Sequence, residues 1–262
     1  MSKINRDPSI RGEVFDVEPG SGPDRVVDEP ALTGVQRDLD PCEAAQHNVW
    51  DEPALRAADI KAPPGAVTYS GWYRERLARA SLFRSWSVTL FLVLVGGPFA
   101  VLGAFFTSYQ AGFVGLLSAV VVGPALEEVL KIGATMIMLE NRPYLFRSSI
   151  QLMIAVVASA LVFAAIENLF YIHLFRPEGA ELFQYWRWTV CMGLHAGATA
   201  VAGLGLVRAW RAAQPVPATI LAEKEYSKPR LELAYPYIVA AVILHGAYNA
   251  FAVVVEQALH PF

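Results

Sequence analysis

Cysteine is nearly absent: Cys42 and Cys191 are the two in 262 residues. They are too few and too far apart for a CxxC metal or redox site. Charge is scarce too. Only 17% of residues are Asp, Glu, Lys or Arg, against about 25% in an ordinary globular domain. Hydrophobic residues make up 55%, and the mean hydropathy is +0.37. No apolar segment follows Met1, so the start does not read as a signal peptide, and no internal repeat is visible. Together these shortages exclude a cytosolic enzyme, a nucleic-acid binder and a disulfide scaffold.

The shortage of charge is local. Ser85–Leu126 is 42 residues without Asp, Glu, Lys or Arg, and three more such runs follow: Ser148–Ile166 (19), Trp188–Val207 (20) and Leu233–Val255 (23). About 18 apolar residues suffice to cross a bilayer. The first run is long enough for two crossings, with its turn at the polar Thr107–Gly112. The reading is therefore an all-α polytopic membrane protein with five transmembrane helices, near 87–106, 113–139, 150–174, 188–210 and 236–257.

Residues 1–70 are different. They hold 8 of the 17 prolines, 13 acids against 7 bases, and three aromatics, which predicts a disordered acidic tail. Residues 71–86 alternate aromatic or aliphatic groups (Trp72, Leu77, Phe83, Trp86) with Arg74, Arg76, Arg79 and Arg84, the composition of a basic amphipathic segment at a membrane surface. The body, 87–258, follows. Eleven Lys and Arg flank one side of the spans and two, Arg176 and Arg187, the other, which places the N-terminus in the cytoplasm and the C-terminus outside. Residues 97–98, Gly-Pro, read as a kink in the first span.

The few ionisable groups inside the spans carry the functional information. Span two has Glu127, Glu128 and Lys131, span three Glu167 followed by Asn168, span four His195, and span five His245 and Asn249. Each charge at the bilayer centre costs about 2.5–3.5 kcal/mol on insertion scales, so the groups need one another. Helical spacing permits it: Glu127 and Glu128 lie four and three residues before Lys131, and Phe163, Glu167 and Tyr171 form one stripe. Counted inward from the span ends, the acids and histidines fall in the middle to outer half of the bilayer. Pro124 should kink span two and free backbone groups beside the acids. Carboxylates and imidazoles around a water form a hydrolytic set, in which a carboxylate activates the water and histidines bind a metal or donate to an oxyanion.

Four motifs in order, GPALEEVLK (123–131), FAAIENLFY (163–171), GLHAG (193–197) and LHGAYNAF (244–251), resemble those of the PrsW family of intramembrane proteases, relatives of the CAAX-prenyl endopeptidase and bacteriocin-processing group. The resemblance spans about residues 85–258. It implies hydrolysis of a peptide bond in a membrane-anchored protein, such as an anti-sigma factor, in the plasma (inner) membrane of a bacterium. It makes Glu127, Glu128, Glu167, His195 and His245 the catalytic set, supported by Lys131, Asn168 and Asn249. It leaves two chemistries open. In one, a divalent metal such as zinc is held among Glu128, Glu167, His195 and His245. In the other, glutamate-activated water acts without metal. Two functions of other classes use the same buried residues: an ion or proton transporter, and a non-catalytic scaffold that binds a membrane helix. A transporter needs a polar path to both faces, whereas a protease needs one pocket closed on one side.

Overall fold

A computed structural model of the chain describes residues 66–107, 112–175, 181–215 and 225–259, with Trp50, Ala62, Pro63 and Pro177. Most of the acidic tail, Cys42, His47 and His260 lie outside the described residues. Every regular element among the described residues is helical, and five stretches are long and apolar enough to span a membrane.

Helix α1 (Tyr69–Arg79) begins where Thr68 Oγ1 accepts the amide of Gly71 at 3.1 Å, capping the first turn. Its Trp72 is not spread on a lipid surface. It packs edge-on against Tyr144, at 5.5 Å between centroids, and Tyr69, Trp72 and Tyr73 are buried against Tyr144 and Leu145. Tyr69 and Ser70, assigned to the tail by composition, are buried in the body. Phe83 is 83% exposed and remains a surface group of the kind expected.

The spans match the uncharged runs. The first, Leu82–Ala104, lies within helix α2 (Leu82–Thr107), whose start is capped by Ser81. The second, Gly112–Asn141, joins α3 (Gly112–Leu117), a π-helical turn (Ser118–Val122) and α4 (Gly123–Asn141). Gly112 opens it with φ +62°, a conformation that favours glycine. The third, Ser149–Phe175, is α5 (Ser149–Phe170) with a π-turn at Tyr171–Phe175. The fourth, Glu181–Ala213, is α6 (Glu181–Trp186), a π-turn at Arg187–Cys191 and α7 (Met192–Ala213). The fifth, Leu231–Val255, lies mostly in α8 (Tyr235–Leu259). The fourth span starts seven residues before the expected 188, because Arg187 lies inside it with its charge paired rather than in a loop.

Side chains facing outward are apolar, as a hydrocarbon solvent requires: Phe113, Ile150 and Leu182 are each more than 70% exposed. Inside, Leu92, Ile132, Leu139, Leu152, Val156 and Leu206 form the main core. A polar clasp ties this end together. Gln151 Nε2 donates to Ser85 Oγ at 2.9 Å and Thr89 Oγ1 at 2.8 Å, and Gln151 Oε1 accepts the amide of Arg147 at 2.8 Å.

Helix α2 runs unbroken through Pro98. Gly97 serves close approach, a Cβ on it lying 2.8 Å from the Ser159 carbonyl, and so does Gly96. A Cβ on Gly96 would lie 2.5 Å from Ser159 Oγ and 2.7 Å from the carbonyl of Lys131. Ser159 Oγ in turn donates to that carbonyl at 2.9 Å. Three spans thus lock together directly behind the Lys131 side chain.

Candidate active site

Positions 127, 128 and 131 fall on the inward face of α4, and all three side chains are buried. Lys131 is fully buried, so its ammonium must find partners inside the protein. It finds four. Nζ donates to Glu128 Oε1 at 2.8 Å and to His195 Nδ1 at 3.0 Å, lies 3.7 Å from Glu127 Oε2, and sits 4.2 Å from the ring centre of Phe163. An ammonium only donates, so His195 Nδ1 must accept. The imidazole proton is then on Nε2, which donates to Glu167 Oε2 at 3.1 Å.

The second histidine is fixed the same way. His245 Nδ1 donates to Glu128 Oε1 at 3.0 Å. Its other nitrogen, Nε2, faces Glu127 Oε2, 3.7 Å away. The two imidazoles stand edge to face with centroids 4.8 Å apart.

The adjacent acids have unlike surroundings. Glu128 is saturated: Lys131 and His245 donate to Oε1, and Thr199 Oγ1 donates to Oε2 at 2.7 Å. Glu127 Oε2 is buried without a hydrogen bond. Consecutive residues on a helix point about 100° apart, which suffices to give one carboxylate three donors and the other none.

On the far side of His195, Glu167 is held by Arg187. Nη2 donates to Glu167 Oε2 at 2.8 Å, and Nε donates to Asn168 Oδ1 at 2.9 Å. Asn168 Nδ2 returns a bond to the Arg187 carbonyl at 2.9 Å, and the guanidinium lies 3.9 Å from the Tyr171 ring centre. The Phe163–Glu167–Tyr171 stripe is thus continuous: an aromatic under Lys131, an acid on His195, and an aromatic under Arg187.

Asn249 is placed differently from the acids and histidines. Its Nδ2 donates to the Ala119 carbonyl at 2.8 Å. In the π-turn Ser118–Val122, the Gly123 amide reaches back to the Ser118 carbonyl. The next amide would serve Ala119, but residue 124 is proline and has none. Asn249 fills that vacancy from span five. Gly246 lets span five come close enough, since a Cβ there would collide with the Val120 carbonyl. The freed backbone group expected from Pro124 is therefore real, and a π-turn accompanies it.

Arg187 and Thr199 were not among the sequence candidates. Both have the spacing that would have found them: Thr199 follows His195 by four residues and Arg187 precedes it by eight, so all three share one face of the span. His173 is an exposed surface group. Cys191 is buried with Sγ 3.1 Å from Tyr248 Oη. The Gly193–Gly197 flank of His195 is not a helix contact, since a Cβ at either position meets nothing within 4 Å.

The centre is sealed at one end. Beneath Lys131, toward α1, Ile132, Thr135, Leu139, Ser159 and Leu206 are fully buried. At the other end Glu167 and Arg187 side chains retain 14% and 12% exposure. Glu127 and one nitrogen each from His195 and His245 offer ligand atoms within 4.8 Å of one another. Two imidazoles and a carboxylate are the donors of a hydrolytic zinc site with one position open. Glu127 Oε2 lacks a hydrogen-bond donor, but both nitrogens of His195 are engaged, Nδ1 by Lys131 and Nε2 by Glu167, so an ion would bind there with one of those bonds displaced. Glu128 and Glu167, expected among the ligands, contact the histidine nitrogens, His245 Nδ1 at 3.0 Å and His195 Nε2 at 3.1 Å.

A family model described as PrsW family intramembrane metalloprotease matches residues 84–261. No curated protein and no solved structure gives a significant match. The model covers more than half of the chain, all five spans and every site residue named above, so the chain belongs to the PrsW family of intramembrane metalloproteases. It is a multi-pass membrane protease.

Proposed function

From that membership and the buried centre, we propose that the chain hydrolyses a peptide bond of a membrane-anchored protein, with Glu127 as the group that moves protons. The observation carrying this reading is the buried Glu127 Oε2, without a hydrogen bond and 3.7 Å from His245 Nε2. Glu127 takes a proton from the attacking water and delivers it to the leaving amine. Glu128 and Glu167 orient His245 and His195. Lys131 and Arg187 supply fixed positive charge against the negative charge of the tetrahedral intermediate. With the Lys131 bond to His195 displaced, Glu127, His195 and His245 would hold a divalent metal such as zinc, which would supply Lewis-acid polarisation, and Glu127 would then serve as a ligand in place of its proton-transfer role. Asn168 and Asn249 support the site through Arg187 and the π-turn.

The substrate enters from the open end, and the closed floor speaks against the transporter reading. We assign the α1 end to the cytoplasmic side of a bacterial plasma membrane and the open end to the outer side. A membrane-anchored anti-sigma factor is the substrate type we favour. The acidic segment 1–70 and the basic segment 71–86 would then lie in the cytoplasm and at its membrane surface.

The test is cleavage of single-span anti-sigma-factor-type proteins co-reconstituted with the full chain in proteoliposomes, with products identified by mass spectrometry. Glu127→Gln and His245→Ala should each lower the rate by about 10²-fold or more while leaving the folded yield unchanged. Wild-type rates in both variants would refute the assignment. Elemental analysis of wild type against Glu127→Gln decides the metal. One equivalent of zinc in the active wild type, lost in the variant, supports the three-residue ligand set. An active preparation without metal supports glutamate-activated water alone.

A further inference from the structure

Arg187 lies beyond the acids and histidines of the proposed centre, and the charge which that reading assigns to it does not by itself require an arginine there. Its surroundings are specific. The guanidinium uses two different edges on two adjacent side chains, Nη2 on Glu167 and Nε on Asn168, and its ring-facing side covers Tyr171. Asn168 closes a reciprocal loop by donating to the Arg187 carbonyl. The side chain is therefore anchored at its backbone, its Nε and its face, which leaves Nη2 to do one thing. It donates to the same oxygen, Glu167 Oε2, that receives Nε2–H from His195. A carboxylate oxygen gripped from one side by a planar, permanently charged donor has one place left for the imidazole.

We propose that Arg187 is a positioning residue of the hydrolytic centre. It holds Glu167 so that Glu167 fixes the ring of His195, and it uses Asn168 as its own anchor. The inference rests on the reading of Glu167 and His195 as site residues. Its local geometry explains why the arginine sits at the head of a π-turn: Arg187–Cys191 widens the helix where the guanidinium must reach across to span three. A lysine could supply the charge but not both bonds, because one ammonium cannot reach Glu167 and Asn168 along two fixed directions.

Two measurements on the full chain test this. The first is ¹⁵N-histidine NMR of the purified protein in lipid nanodiscs, with signals assigned through His195→Asn and His245→Asn. In the wild type His195 should show a hydrogen-bonded Nε2–H, and His245 a hydrogen-bonded Nδ1–H. Arg187→Gln should broaden or shift the His195 signal and leave the His245 signal in place, since His245 is held by Glu128. A general folding defect would move both. The second is proteoliposome cleavage. Arg187→Gln should lower kcat by roughly 10–100-fold with KM within about twofold, the range for an outer-shell partner. Arg187→Lys should recover part of kcat, and added methylguanidinium should partly restore Arg187→Ala, because the position keeps an open side. Arg187→Gln in a Glu167→Gln background should cost little more. An unchanged His195 signal with unchanged kcat in Arg187→Gln would overturn the proposal. If Glu127→Gln and His245→Ala still lose activity in that case, the hydrolytic reading survives without it.

Discussion

Glu127 and Glu128 are neighbours of the same chemistry, yet their replacement should have very unequal consequences for stability. Glu128→Ala removes the acceptor of three buried donors, Lys131 Nζ, His245 Nδ1 and Thr199 Oγ1. Lys131 is then left with a carboxylate only at 3.7 Å. Breaking one side of a buried ion pair costs about 3–5 kcal/mol, a large part of the roughly 5–15 kcal/mol that holds a domain together. Glu127→Gln keeps the shape and loses no hydrogen bond at Oε2, so it should cost about 1 kcal/mol or less. At about 2–4 °C per kcal/mol for a body of this size, Glu128→Ala should melt roughly 6–20 °C below wild type and Glu127→Gln within about 4 °C. Thermal unfolding of the purified protein in detergent, followed by tryptophan fluorescence, measures both. Equal destabilisation of the two variants, or a fully stable Glu128→Ala, would mean that Glu128 is not the acceptor around which the centre is built. The division of labour between the two acids would then be wrong.

Gly96→Val should lower the melting temperature by the equivalent of about 1–3 kcal/mol, because its side chain enters space held by Ser159 and the Lys131 carbonyl. Gly193→Ala, with nothing in reach, should match wild type in the same melt. Asn249→Ala leaves the Ala119 carbonyl without its donor and should cost about 1–3 kcal/mol. Adding Pro124→Ala restores a backbone N–H at the bulge and should recover part of that loss, which a double-mutant cycle reads directly; purely additive losses would refute the account of the π-turn.

The spans were legible because a bilayer imposes a simple composition rule: four uncharged runs delivered five crossings to within a few residues at most ends. The site residues were legible as exceptions to the same rule. What the chain could not display is pairing. Glu127 and Glu128 are indistinguishable as letters, and only their rotation on α4 decides which meets Thr199 and His245. Arg187 was misread because it ends a loop-like stretch. A charge at a span boundary counts toward topology unless an acid elsewhere reaches it, and that acid lies twenty residues away on another helix. Gly97 looked like half of a kink because Pro98 follows, whereas what requires a glycine there is the closeness of Ser159 and Val162 on span three. Asn249 had the right spacing to join His245, but a missing amide 125 positions upstream drew its side chain to the π-turn.

The arrangement also explains how so many polar groups remain inside a small membrane body. Each imidazole bridges two charged groups: His195 runs from Lys131 to Glu167, and His245 from Glu128 toward Glu127. The chain Arg187–Glu167–His195–Lys131–Glu128–His245 alternates donor and acceptor along its length, so no internal charge lacks a counterpart of opposite sign. Two cations serve the three carboxylates, and among the described residues the buried carboxylate oxygen without a donor is Glu127 Oε2. Among the carboxylates of the centre, the unmet demand for a proton or a cation therefore falls on Glu127. In a hydrolase that carboxylate is where water has to be made reactive. The rigid floor of Gly96, Ser159 and the Gln151 clasp keeps it there, while the end bearing Arg187 stays accessible.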